Sequence, residues 1–273
     1  MMRHIVLLMT LAVGLAGCGR SQAVREERAV NAILKLGGTV SRNEKLLGRP
    51  VRSVELHSPK VKDSDLKDLK EFKSLKFLDL CGIPITGTGL KDLKELKGLK
   101  TLILRDTQIT DAGMKNLKEL KGLQTLELSM TPITDAGTKE LKELKGLQAL
   151  FLISTQITDA SLKELKELKG LRMLYLSDTQ ITSAGMKELK ELKGLRYLVL
   201  SRTQITDAGL KDLKELTGLQ GLWLTGTRIT DAGLKELKEL KGLKGLNLNG
   251  TKITDAGRRD MEQALPTTSI SGP

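Results

Sequence analysis

The chain repeats itself every 24 residues, and nothing else in it constrains the fold as strongly. The segment LKTLILRDTQITDAGMKNLKELKG begins at Leu99, and its pattern restarts at Leu123, Leu147, Leu171, Leu195, Leu219 and Leu243. Stepping backwards finds Leu75 and then Val51 in degraded form, so nine units cover residues 51–266. One such unit cannot bury its own apolar side. The units must stack into an array whose core runs through all of them.

Each unit reads physically. In the copy from Leu171, Leu174 and Leu176 set a short strand and point to one face at period two. Thr179 and Ile181 turn the chain inward. Thr182 supplies an N-cap, and most copies carry Thr-Asp-Ala-Gly there, as at Thr206 to Gly209. Met186, Leu189 and Leu192 follow on one helical face, and Gly194 is expected to stop the helix. Stacked strands sit about 4.8 Å apart, whereas packed helices need roughly 8–10 Å. An array of such units has to curve, with its parallel sheet concave and its helices convex.

The consensus LxxLxLxxTxITDAGLKELKELKG resembles the leucine-rich repeat family, in a bacterial variety with Thr where Asn or Cys is commoner. The resemblance implies an α/β solenoid, a horseshoe that works as a binding scaffold. The repeat style is also similar to the horseshoes of ribonuclease inhibitors and of eukaryotic F-box substrate adaptors. No F-box segment precedes the repeats, so an adaptor-like role is a fold-level analogy. The Thr column Thr107, Thr131, Thr155, Thr179, Thr203, Thr227 and Thr251 reads as structural, its hydroxyls satisfying backbone groups of the turn.

The ends differ from the repeats. Residues 22–36 carry Val24, Val30, Ile33, Leu34 and Leu36 at roughly helical spacing and end at Gly37-Gly38, which predicts a capping helix. A strand near Thr39 to Arg42 and a loop over 43–50 follow. At the other end, residues 267–273 are expected to add one partial strand.

The first residues read as an address. Arg3 gives a positive start, and Ile5 to Val13 form an apolar run too short to span a bilayer comfortably. Leu15-Ala16-Gly17-Cys18 then resembles the lipobox of bacterial lipoproteins. That resemblance implies a signal peptide over 1–17, lipid attachment at Cys18, and a lipidated segment over 18–50 that includes the cap. Gly19, where Asp would favour inner-membrane retention, points to the periplasmic side of the outer membrane or the cell surface. The expected location is the bacterial cell envelope, with the membrane engaged through the lipid anchor.

The formal charge is +12, which raises nucleic acid as a partner. The Lys and Glu of the helical segments alternate in sign, as from Lys187 to Lys193, and read as a solvated convex face. Together with the envelope address, this argues against nucleic acid. The residue after the first Leu of each unit is more telling: Arg52, Lys76, Lys100, Gln124, Gln148, Arg172, Arg196, Gln220 and Lys244. The outward residue between the two strand leucines varies too, as Glu55, Asp79, Ile103, Glu127, Phe151, Tyr175, Val199, Trp223 and Asn247.

Five of the six aromatics thus fall on outward sheet positions: Phe77, Phe151, Tyr175, Tyr197 and Trp223. Only Phe72 joins the leucine lattice. Aromatics beside Arg on a concave surface are the composition of an interface. The expected site is Phe151, Tyr175, Tyr197 and Trp223, with Arg172, Arg196 and Arg202 around them, taking a protein or peptide ligand on a monomeric horseshoe. The competing expectation is an envelope spacer with no specific ligand. Catalysis has little to stand on, because His57 lies alone in the most degraded unit. Cys81 is an unpaired thiol, and no phosphate loop, catalytic triad or metal-spaced cluster appears. No cofactor is expected.

Overall fold

The computed structural model describes residues 21–272; the expected signal peptide and Cys18 lie outside the described residues. Among the described residues eleven strands form one sheet in chain order. They are β1 (Thr39–Arg42), β2 (Val51–Glu55), β3 (Phe77–Asp79), β4 (Thr101–Ile103), β5 (Thr125–Glu127) and β6 (Ala149–Phe151). Then come β7 (Met173–Tyr175), β8 (Tyr197–Val199), β9 (Gly221–Trp223), β10 (Gly245–Asn247) and β11 (Ser269–Ser271). β1 pairs antiparallel with β2, and every later pairing is parallel. The register aligns the repeats residue for residue, so that Leu78, Leu102, Leu126, Leu150, Leu174, Leu198 and Leu222 form one fully buried row.

The Thr column is structural. Each hydroxyl donates to the carbonyl three residues earlier, as Thr107 to Leu104 at 2.7 Å and Thr179 to Leu176 at 2.6 Å. A turn carbonyl inside the array is thereby satisfied without water.

The convex layer differs from a row of α-helices. Four of the nine copies make a single α turn, such as Asp111–Met114, and continue as a 3₁₀ helix, such as Lys115–Glu119. The first two are 3₁₀ throughout, over Asp63–Glu71 and Thr88–Glu95. The leucine spacing explains it. Leu210, Leu213, Leu216 and Leu219 recur every three residues with no i+4 partner, and a 3₁₀ helix places i and i+3 in line. The helix-stop role expected of Gly194 also fails: in the unit from Leu171 the α-helix is only Met186–Leu189, well short of it. The equivalent glycines keep negative φ, and at Gly122, Gly146 and Gly242 they serve close stacking on the preceding unit instead. A Cβ at Gly122 would stand 2.9 Å from the carbonyl oxygen of Lys97 in the preceding unit.

The Asp of Thr-Asp-Ala-Gly does more than start a helix. Asp111 accepts from the backbone N–H and hydroxyl of Thr134 in the next repeat, at 2.9 and 2.7 Å. Asp135 does the same with Thr158, Asp159 with Thr182, Asp207 with Thr230 and Asp231 with Thr254. These joints bolt each unit to the following one. The Gly two residues on leaves room for them, since a Cβ at Gly137 would stand 2.5 Å from Asp111 Oδ1.

A helix over 21–35 closes the first repeat. Ala29, Val30 and Ile33 are buried against the array, whereas Val24 and Leu34, placed by spacing in the apolar stripe, are exposed. Its polar side is used as well: Glu26 accepts from Val51 N at 3.0 Å and pairs with Arg42.

Candidate binding surface on the concave face

Each three-residue strand sends its middle side chain into the core and its outer two to the open face. Two outward columns result. One runs Ser53, Phe77, Thr101, Thr125, Ala149, Met173, Tyr197, Gly221, Gly245; the other runs Glu55, Asp79, Ile103, Glu127, Phe151, Tyr175, Val199, Trp223, Asn247. Phe151 and Tyr175 are neighbours in the second column. Their rings meet at 4.6 Å between centroids with a 30° tilt. Trp223 lies one strand past Val199, and its ring reaches diagonally to Tyr197 of the first column, at 6.3 Å and 35°.

That diagonal depends on Gly221. A Cβ there would stand 2.5 Å from Trp223 Cζ3 and 2.9 Å from Tyr197 Cδ1. The indole therefore lies flat across its own strand in space that any side chain would fill. All four rings are half-buried and not fully solvent-facing. Burial pushes the Tyr175 phenol up, and the neighbouring Tyr197 adds to it. The result is a ledge of two ring pairs lying against the sheet.

The arginines flank this ledge from two sides. Arg172 and Arg196 are exposed where β7 and β8 begin. Arg202 is on the opposite rim, in the turn after β8, in a left-handed conformation at φ 54°, and its guanidinium lies 3.6 Å from Asp178 Oδ1. Asp106, Met130, Ser154 and Asp178 hold the same left-handed position in earlier repeats.

The structure also gathers three groups that look unrelated along the chain. His57 Nε2 is 3.3 Å from Asp79 Oδ1, and the same carboxylate oxygen accepts from Cys81 N at 2.9 Å. A Cys, a His and an Asp thus share the start of the concave face. Burial first, and then the charge of Asp79, pushes the Cys81 thiol up, the reverse of what an activated nucleophile needs. Among the described residues no cluster of three or more His, Cys, Asp or Glu could hold a metal ion.

Comparison with known proteins agrees with this architecture. The family model "Leucine-rich repeat region" matches residues 50–208. Among solved structures, the chain is similar to internalin C2 from Listeria monocytogenes, with 26% identity and a TM-score of 0.63, over 89% of this chain and 92% of that one. It is also similar to a leucine-rich repeat protein from Leptospira interrogans, with 27% identity and a TM-score of 0.59 over 75% of this chain. It spans 56% of that second chain. No curated protein matches it in sequence. The stacked parallel strands, the short helical segments and the matched residues lead to one conclusion: this chain belongs to the leucine-rich repeat family.

Proposed function

We propose that this protein is a lipid-anchored repeat scaffold of the bacterial cell envelope that binds a protein or peptide on its concave face. The ledge of Phe151, Tyr175, Tyr197 and Trp223 is the observation that carries the binding reading. Four of the chain's six aromatics form two ring pairs on the open side of the sheet, away from the leucine core. Aromatic and Arg side chains supply most of the energy at protein interfaces, because they bury large area at low entropy cost. Arg172 and Arg196 stand ready beside the rings to meet carboxylates. The scaffold acts by binding alone, as a monomer, without catalysis or a cofactor.

The anchor rests on Leu15-Ala16-Gly17-Cys18 behind a short apolar run. Fatty-acid labelling in a bacterial host tests it. Wild-type protein should incorporate label and Cys18→Ser should not; an unlabelled wild type would remove the anchor. The binding surface is tested by photo-crosslinking from the native envelope with a probe beside Trp223. A partner captured by the wild type and lost with Tyr175→Ala plus Trp223→Ala supports the ledge. Capture that is indifferent to those changes moves the site elsewhere, and no capture at all leaves a spacer.

A further inference from the structure

The positive charge of this protein is not spread evenly. On the convex side, one column of lysines is matched to glutamates of the next repeat, as Lys121 to Glu143 at 3.2 Å, Lys169 to Glu191 at 3.2 Å and Lys193 to Glu215 at 3.1 Å. The cations that open the first strands are not matched. Arg52 in β2 and Lys76 and Lys100, the residues just before β3 and β4, form one hydrogen-bonded row, Lys76 N donating to Arg52 O and Lys100 N to Lys76 O, each at 2.9 Å. Among the described residues none of the three lies within ion-pair distance of a carboxylate. Arg52 and Lys100 donate instead to the carbonyls of Ser74 and Gly122 on the same rim. Three like charges at strand spacing, with no counter-charge, repel one another until something anionic covers them.

The loop over 43–50 belongs to that rim, because Arg42 and Val51 on either side of it are paired across β1 and β2. At its tip Leu47 is 103% exposed and Leu46 is 49% exposed, with Lys45 beside them. These leucines protrude. Glu44 and Arg49 of the same loop pair with each other at 3.0 Å, which leaves Lys45 as the free charge beside the leucines, and a protruding apolar tip next to a cation is the shape that enters a bilayer interface. The cap helix starts at this rim too. Gln22 Nε2 donates to Glu71 O at 2.8 Å and Arg25 pairs with Glu71 at 3.3 Å, and Glu71 ends the helical segment that leads into β3. Ser21, the first of the described residues, therefore lies at this rim.

We propose that this rim is a membrane-docking edge. Leu46 and Leu47 enter the interface of an anionic bilayer, while Lys45, Arg52, Lys76 and Lys100 lie against its phosphate headgroups. Residues 42–100 carry the proposal without any lipid on Cys18. Where that lipid is present, the edge fixes the orientation, and the aromatic ledge on the open face stays free for a ligand.

The test uses residues 19–273, which keep the whole buried core from Ala29 to Leu265 but carry no leader and no acyl chain. Flotation with phosphatidylcholine vesicles containing roughly one-third phosphatidylglycerol should recover the protein, and vesicles of phosphatidylcholine alone should not. The triple change Arg52→Gln, Lys76→Gln, Lys100→Gln uses the residue this array itself carries at Gln124, Gln148 and Gln220, so the fold is kept. It should lower partitioning at least about tenfold. Leu46→Ser with Leu47→Ser should lower it about threefold or more. The charge-matched change Lys145→Gln, Lys169→Gln, Lys193→Gln on the convex side should lower it less than about twofold. No recovery on the anionic vesicles, or equal losses in the two triple variants, would overturn the docking edge. A failure of Cys18 labelling would overturn the anchor and leave this edge standing.

Discussion

Strands β2 to β5 and strands β6 to β9 share one backbone, one register and one leucine row, yet they show opposite faces to whatever enters the horseshoe. In the first half the second outward column reads Glu55, Asp79, Ile103, Glu127; in the second half it reads Phe151, Tyr175, Val199, Trp223. The acids of the first half are already occupied. Asp79 accepts from Cys81 N, and Glu127 accepts from Ser129 N at 2.8 Å. The rings of the second half lie against each other in two pairs, with Tyr197 also donating from its hydroxyl to Gln220 Oε1 at 3.5 Å. A repeat scaffold keeps its inward positions fixed and lets its outward ones diverge. Here that divergence has produced one half whose acids are occupied and one half that carries two ring pairs.

The largest expected effect tests what the halves share. Leu102→Ala in β4 and Leu174→Ala in β7 each remove a fully buried side chain from the same row. Each should cost about 2–5 kcal/mol in chemical denaturation, by lost burial plus the cavity left behind. Similar costs confirm one lattice. A much smaller cost for either leucine would mean that its half is held by something other than this row.

Much of that lattice is legible in the sequence, because every copy votes on each position and no polar residue ever takes a strand-leucine position. What escaped is what crosses from one repeat to the next. Within a single copy, Thr134-Asp135-Ala136-Gly137 reads as a helix start, and so it is, with the Thr134 hydroxyl accepting from Ala136 N. That Asp135 also reaches Thr158, 23 residues on, appears only when the copies are stacked. The three-residue leucine period is visible in the sequence, and because the spacing lacks an i+4 partner it fits 3₁₀ better than the expected α-helix. Trp223 was assigned correctly to the open face by alternation. Its collapse over Gly221 depends on the side-chain direction and on an empty neighbouring position, and periodicity encodes neither.

The next effect separates the halves. Tyr175→Ala with Trp223→Ala should weaken binding of a verified partner at least about tenfold, since ring anchors often cost 2 kcal/mol or more when truncated. The same double change removes one member of each ring pair, worth about 0.5–1.5 kcal/mol apiece, so melting shifts while circular dichroism shows the fold intact. Glu127→Ala should do the reverse. It strands Ser129 N and should cost about 1 kcal/mol of stability, with affinity unchanged. If Glu127→Ala weakened binding as much as the aromatic change, the contrast between the halves would collapse.

A smaller and more local effect concerns how the ledge is held. Gly221→Ala places a methyl group in the space under the indole. Fluorescence of the sole tryptophan should then shift to the red and become easier to quench, as Trp223 lifts away from Tyr197. An unchanged spectrum would mean that the ring does not lie across β9.

The smallest effect lies in the joints between repeats and depends on pH. At Asp135, burial alone would raise the pKa, but hydrogen bonds from Ser161 and Thr158 outweigh it and hold the carboxyl below its ordinary 3.8. At Asp231 the hydroxyl and N–H of Thr254 lower it in the same way. A carboxyl whose folded pKa is depressed binds fewer protons folded than unfolded, so its contribution is complete above the ordinary value and disappears as pH falls through the folded one. Stability should therefore decline as pH falls below about 4, and only slightly at Asp135, because water screens part of the joint. One joint offers an internal control. Position 183 carries Ser in place of Asp, and Ser183 Oγ accepts from Thr206 N at 3.0 Å with no carboxyl to titrate. Amide exchange followed from pH 6 down to pH 3 should show Thr158 and Thr254 losing protection relative to Thr206. Uniform loss at all three amides would mean that acid acts on the whole array and not through its aspartate joints.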